Sequence, residues 1–219
     1  MNKIIKISLL FCLIGNIAIA QNVTIRKVES KLLTHEGVEF DGKLINKTKD
    51  LHMFKDWKNN GVLHIDGNVY RISNINFNVS TNQIDSKMRN GKYFVYQTAS
   101  IDSISINNQN FKRLGRTFYE VLLDKNDKMF LKKFDALQQQ NSSNRMGGTI
   151  VRSAKLLKFK YLVKLEEGYK DIKLNKRSVM NLFEGNEDKL SKFVKEEKLS
   201  YKKEEDLVKI LNFMLDETS

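Results

Sequence analysis

The sequence predicts a mainly β, α+β fold: a curved antiparallel sheet or barrel-like meander followed by two to three short C-terminal amphipathic helices. Two observations carry this. Between residues 22 and 174, turn-forming dipeptides recur between short alternating segments, at the roughly 8–12-residue spacing of a meander, sandwich or barrel. After Leu174 the apolar repeat lengthens from two residues to three or four, which is the period of a helix.

The chain opens with "MNKIIKISLLFCLIGNIAIAQ". Lys3 and Lys6 make a basic start, Ile7 to Ile19 is mostly apolar, and Ala18-Ile19-Ala20 is a small-x-small site. This reads as a secretory signal peptide cleaved after Ala20. A membrane-spanning helix is the weaker reading, because the run falls short of the ~20 residues a span needs and Asn16 interrupts it. A lipoprotein signal at Cys12 is disfavoured by the bulky Phe11 before it. The expected organisation is a leader over 1–20, an antiparallel β-rich domain over 21–174, and a helical segment over 175–219 packed on the same domain. The expected location is periplasmic or secreted.

The strand signals follow in order. In "GVLHIDGNVYRI", Asp66-Gly67 separates two strand-like runs and suits the positive-φ positions of a type I′ turn. "SNINFNVS" alternates without a break, so Ile75, Phe77 and Val79 face one way and Asn74, Asn76 and Asn78 the other; one dry and one wet face are expected. "SKMRNGKYFVYQ" repeats the hairpin logic at Asn90-Gly91. Ile101, Ile104 and Ile106 precede an Asn-rich turn. "TFYEVLLDKNDKMFLKKF" predicts a longer-looped hairpin bending over Asp124 to Lys128, and "KLLKFKYLVKLEEGYKDIKL" one turning at Glu166-Glu167-Gly168. The stretch "ALQQQNSSNRMGGTI", 136–150, has little to bury and is expected to be a mobile loop.

The helical signals come last. Val179, Leu182 and Phe183, then Leu190, Phe193 and Val194, then Leu207, Ile210, Leu211, Met214 and Leu215 form apolar stripes at helical spacing. Glu187-Asp188 and Glu204-Glu205-Asp206 place acids in first turns, where they favour the helix dipole. Asn186 is a good N-cap residue. The last stripe fits a partner-binding helix, but its own domain is the more economical contact.

Composition narrows the function. The 219 residues carry a net charge of +12, one cysteine, three histidines and no proline. Cys12 leaves with the leader, so the processed chain would have no disulfide, thiol nucleophile or Cys-based metal site. The basic balance suits anionic lipid head groups or nucleic acid. However, the lysines are interleaved with acids, and the Lys, Asn and Ile richness fits coding bias. No nucleic-acid partner and no transmembrane segment beyond the leader are expected.

No residue pattern assigns chemistry. His35, His52 and His64 form no metal spacing, and no Gly-x-Ser-x-Gly elbow accompanies them. Gly147-Gly148 opens no phosphate loop. Glu36, Glu39 and Asp41 are close enough in sequence for paired-carboxylate work, though surface acids near a turn are commoner. "DKNDK" at 124–128 lacks the downstream Gly and Glu of a calcium loop. Tyr93, Phe94, Tyr96, Phe118, Tyr119, Phe130 and Phe134, interleaved with Lys92, Arg113, Lys132 and Lys133, allow a stacking surface for single strands, but core packing explains them more simply. No catalytic, cofactor-binding or metal-ligating residue and no cofactor is assigned.

Three stretches, "LHMFKDWKNNGVLHIDGNVYRISNINFNVSTNQID", "FYEVLLDKNDKMFLKKF" and "SVMNLFEGNEDKLSKFVKEEKLSYKKEEDLVKILNFM", resemble a group of uncharacterised exported proteins of Bacteroidota. The resemblance implies a strand-rich body with a Lys-rich helical tail and an envelope or secreted setting. It supplies no site residues.

The leading expectation is therefore an exported, non-enzymatic accessory or binding protein of the cell envelope, whose partner is an envelope protein or an anionic or apolar lipid. A second is a periplasmic carrier of a lipid or other apolar ligand, in which Phe77, Val79, Phe94 and Tyr96 would line the pocket. A third is a hydrolase, which would need a cleft joining a histidine to a carboxylate and a serine.

Overall fold

The computed structural model describes residues 30–33, 38–48, 51–136 and 157–217. The leader, His35, Glu36, Gly147-Gly148 and the expected loop beyond Ala136 lie outside the described residues.

The strands are β1 (Ser30–Leu33), β2 (Glu39–Ile45), β3 (Asn60–Ile65), β4 (Asn68–Ser73), β5 (Ile75–Asn78), β6 (Gln83–Lys87), β7 (Tyr93–Tyr96), β8 (Ile101–Ile106), β9 (Gln109–Leu114), β10 (Thr117–Lys125), β11 (Lys128–Ala136), β12 (Leu157–Leu165) and β13 (Gly168–Ile172). The helices α1 (Lys176–Met180), α2 (Glu187–Glu196) and α3 (Glu204–Glu217) follow. The fold is mainly β, with an α-helical end, as the sequence predicts. No helix among the described residues is long and apolar enough to cross a membrane.

The strands form two antiparallel sheets rather than one. The smaller runs β1-β2-β7-β6-β5, and the larger β13-β12-β11-β10-β9-β8-β3-β4. From β8 to β13 the chain is a meander of neighbouring hairpins. Asp66-Gly67, Asn107-Asn108 and Asn126-Asp127 all take positive φ at two-residue links, as type I′ turns require. Two expectations change here. Lys125 pairs with Lys128, so the bend at Asp124 to Lys128 tightens to Asn126-Asp127. At Asn90-Gly91 only Gly91 takes positive φ. Gly91 N–H donates to Met88 O at 3.0 Å and Met88 N–H to Lys92 O at 2.8 Å, a three-residue loop with glycine in the left-handed position.

The larger sheet is covered on one face by two different partners. The smaller sheet packs over β3, β4, β8, β9 and the start of β10, and Phe77 stacks on Phe111 at 4.7 Å between ring centres. Ile75, Phe77, Phe94, Leu63, Ile104 and Phe118 are all buried in this first core. Gly42 belongs to it too, because a Cβ there would collide with the Phe94 ring. The helices cover the rest. Phe130, Tyr161, Val163 and Ile172 form a second core with Leu190, Leu207, Ile210, Leu211 and Met214. The predicted stripe of α3 is thus buried against β10 and β11, and that of α2 packs on α3, where Phe193 stacks on Phe213 at 3.8 Å between ring centres. Leu182 and Phe183 sit just beyond α1, which ends at Met180. Asn186 precedes α2, but its side chain caps nothing; Asn175 does cap α1, accepting from Ser178 N–H at 2.8 Å.

Between the two cores β10 and β11 each place a charge. Glu120 pairs with Lys132 across the strands, flanked by Phe118 and Phe134 of the first core and by Phe130 of the second.

Candidate functional site: a roofed sheet face and its groove

The most unexpected local structure is the Asn face of β5. All four β5 residues are buried, Asn76 and Asn78 included. The expected wet face is corrected to a covered one. The cause is the preceding chain: Met53 N–H donates to Phe77 O and Val79 N–H to Leu51 O, both at 2.9 Å, so residues 51–53 lie along the free edge of β5. Asn76 ties down the next turn, donating to Phe54 O at 2.8 Å and accepting from Phe54 N–H at 3.1 Å. Asn59 N–H₂ donates to Ile75 O at 3.1 Å. A strand edge that would otherwise offer unpaired groups is closed by the backbone of residues 51–53 and by Asn59.

This segment roofs part of the smaller sheet's outer face. By register, Asn76, Asp85, Val95 and Lys43 form one row across β5, β6, β7 and β2. Asp85 sits in that row, 1% exposed. Its Oδ2 accepts from Thr48 Oγ1–H at 2.9 Å, from His52 Nε2–H at 2.9 Å and from Asn78 N–H₂ at 3.1 Å. Its Oδ1 is buried and accepts no hydrogen bond. Three donors on one oxygen hold the carboxylate in place at burial that would otherwise be costly.

The His52 ring in turn positions the single tryptophan. Trp57 meets His52 edge-on at 4.6 Å between ring centres and lies 5.1 Å from Tyr93. Tyr93 is the cross-strand partner of Ile45. An open groove of about 340 Å³ runs along β2 and β7, lined by Gly42, Lys43, Ile45, Gln83, Val95, Tyr96 and Gln97.

The chemistry of the cluster follows from atom placement. In a nucleophile–base–acid triad the imidazole uses one nitrogen for the hydroxyl and the other for the acid. Here His52 Nε2 is 3.5 Å from Thr48 Oγ1 and 2.9 Å from Asp85 Oδ2, so one nitrogen faces both groups. Thr48 gives its own proton to Asp85. The arrangement locks a segment and does not activate a hydroxyl. Among the described residues no group of three or more His, Cys, Asp or Glu is placed to hold a metal ion.

The residues singled out in the sequence have these places in the fold. Phe77, Val79, Phe94 and Tyr96, considered as pocket lining, are all buried in the first core. Tyr96 also borders the groove and a recess of about 230 Å³ between the sheets, where Phe40, Ile65 and Tyr70 join it. That recess is smaller than the roughly 300–1,000 Å³ of ordinary small-molecule sites. Burial pushes the Tyr96 hydroxyl up to about 12, while Ser86 Oγ bonds it at 2.9 Å. His64 is half-buried on β3, and Glu39 and Asp41 are exposed on β2. Phe118, Phe130 and Phe134 are core residues. His52 and Asp85 are 33 residues apart, and no spacing rule joins them; the residue types around "NINFN" were the one signal, and alternation pointed it the wrong way.

A second polar cluster fills the seam between the cores. Lys132 Nζ lies 3.0 Å from Glu204 Oε2 and 3.5 Å from Glu120 Oε2, and Tyr161 O–H donates to Glu204 at 2.8 Å. Gln109 N–H₂ donates to Glu120 Oε1 at 3.3 Å. Burial pushes the Glu120 carboxyl above its usual range, partly offset by Lys132 and reinforced by Glu204. Lys132 also stands over the Phe159 ring at 4.6 Å, a cation–π contact.

Compared with protein-family models, with curated proteins and with solved structures, the chain matches none.

Proposed function

We propose that the chain is an exported, non-enzymatic accessory or binding protein of the bacterial cell envelope, and that it binds through the roofed face. The observation that carries this reading is the open groove along β2 and β7 on the same sheet face, whose lining residue Ile45 is the cross-strand partner of Tyr93. A buried carboxylate, a histidine and two amides are committed to holding one segment whose tryptophan, Trp57, packs on Tyr93 of the same sheet face. Binding sites spend buried polar groups this way when the geometry of a contact side chain matters. The Thr48–His52–Asp85 geometry supports binding over turnover. Export rests on the leader-like start, and the envelope setting on that together with the basic charge.

The test is capture. The chain beginning at Gln21 is immobilised and exposed to envelope extract from its own source, alongside a Tyr93→Ala, Val95→Asp variant that disrupts the groove. Material held by the first and released by the second is expected. Equal recovery on both, or turnover of any envelope component by the purified chain, would overturn the proposal.

A further inference from the structure

The helical cover leaves an opening at one end of the larger sheet. β11 begins at Lys128, β12 ends at Leu165 and β13 begins at Gly168, so three strand ends meet at the β12–β13 turn. The link between α1 and α2 supplies another wall, folded by Phe183 N–H on Met180 O and Asn186 N–H on Phe183 O, both at 3.0 Å. Between them is an open pocket of about 310 Å³, at the small end of ordinary small-molecule sites.

One buried charge lines it. Lys128 shares the covered face with Phe130, two residues on, and is 8% exposed. Its ammonium has three donors to satisfy. Its one charged partner among the described residues is Glu166 Oε1 at 3.7 Å, beyond hydrogen-bond reach and on a side chain that is itself 84% exposed. A buried cation held this loosely calls for an acceptor. Leu165, Leu182 and Phe183 line the same pocket and extend the second core to it. Asn186, whose side chain does not cap α2, lines it too.

The whole charge of the lining decides the ligand. It comprises two lysines and three glutamates. Lys170 and Glu167 neutralise each other at 2.7 Å. That leaves Lys128 inside, with the exposed Glu166 and Glu184 outside. A plain anion would satisfy Lys128 but meet two carboxylates, and a plain cation would leave Lys128 as it is. A zwitterion with its negative end inserted satisfies both ends. Glu166 then gives up Lys128 to the incoming carboxylate and takes the ammonium in exchange.

We propose that this pocket binds a small apolar α-amino acid as its zwitterion: carboxylate on Lys128, ammonium towards Glu166 and Glu184, side chain against Leu165, Leu182 and Phe183. It is a site apart from the roofed face, on the helix-covered half of the larger sheet, and is tested independently of it.

The chain from Gln21 is titrated by calorimetry with leucine, with isocaproate and with isoamylamine; the last two are leucine without its amino group and without its carboxylate. Leucine is expected to bind, and each half-ligand to bind roughly tenfold more weakly or worse. Lys128→Met replaces a poorly paired buried charge by an apolar side chain of similar length, so it is expected to fold and to weaken leucine by roughly tenfold or more. Glu184→Gln, at an exposed position, should weaken leucine several-fold and leave isocaproate no weaker. No heat from leucine at millimolar concentration would overturn the proposal, as would leucine binding unchanged by Lys128→Met. Isocaproate or isoamylamine binding as tightly as leucine would overturn it too, by showing a site that reads one charge alone. Should Lys128→Met fail to fold, the Glu184→Gln contrast decides, and equal weakening of leucine and isocaproate would sink the zwitterion.

Discussion

Lys198 holds a backbone φ of 52° at the end of α2. Its N–H donates to Lys195 O at 3.3 Å, and Leu199 N–H donates to Val194 O at 2.9 Å, the paired bonds of a Schellman cap in which glycine is the usual left-handed residue. A side chain in that conformation costs roughly 1–2 kcal/mol. Lys198→Gly is therefore expected to raise stability by about 1 kcal/mol, read as a higher urea midpoint; a lower midpoint would show that the lysine side chain contributes more than its backbone loses. His52→Ala works the other way. It strips one of three donors from a buried carboxylate and removes the edge-on neighbour of Trp57, so a loss of about 1–3 kcal/mol is expected, with Trp57 emission moving to the red. An unchanged emission spectrum would mean that Trp57 is held without His52. At this scale the sequence was legible where one residue type answers one backbone need, as at Asp66-Gly67 and Asn107-Asn108. It was not legible at Asn76 and Asn78, because an amide that faces water and an amide that stitches a crossing segment look alike in a single strand.

Among the elements, the link between α3 and the larger sheet is the one sensitive to acid. Glu120 on β10 is faced by Lys132 on β11, Glu204 on α3, Gln109 on β9 and, through Glu204, Tyr161 on β12. Two carboxylates share one ammonium, and the more buried of them is held above its ordinary range. A raised folded-state value means that the neutral form is favoured by folding. Its contribution to stability is full below the unfolded value near 4.3 and is lost as pH rises through the folded value. Relative to Glu120→Gln, the natural chain should gain stability as pH falls from about 7 to about 4. Chemical denaturation of both proteins across that range checks it, and parallel curves would show that Glu120 titrates as it does in the unfolded chain. The apolar stripes of α2 and α3 were readable in advance because helical periodicity is local. The Glu120–Lys132–Glu204 seam was not, since it exists only once two cores are laid side by side on one sheet.

For the whole molecule, the residue pattern of short strands followed by helices resolves into one sheet with two covers. The smaller sheet shields one half and the helices shield the other. A chain ending at Gly185 would uncover Phe130, Val163 and Ile172, which are at most 4% exposed in the intact fold. It is expected to associate or precipitate, as exposed apolar strands do; light scattering against the full chain is the check, and a monomeric truncated protein would make the helices a separable docking element. The strand content and antiparallel turns were predictable from alternation and turn chemistry. The division into two sheets was not, because β3 and β4 look like a neighbouring hairpin to β5 and nothing local says that the chain changes sheets at Asn74.

That change of sheet sets the order of events as the chain emerges. β3 carries Gly61 and Leu63, whose partners Ile106 and Ile104 on β8 come some forty residues later, after the whole β5–β7 segment has been assigned to the other layer. Until β8 has appeared, β3 and β4 form a hairpin without a sheet, and the first core has only one wall. Pairings of this separation are slow to form, since the intervening loop must close before any contact is gained. The first core therefore cannot close before Ile106 is made, close to the middle of the 219 residues, whereas the second waits for α3, roughly a hundred residues later.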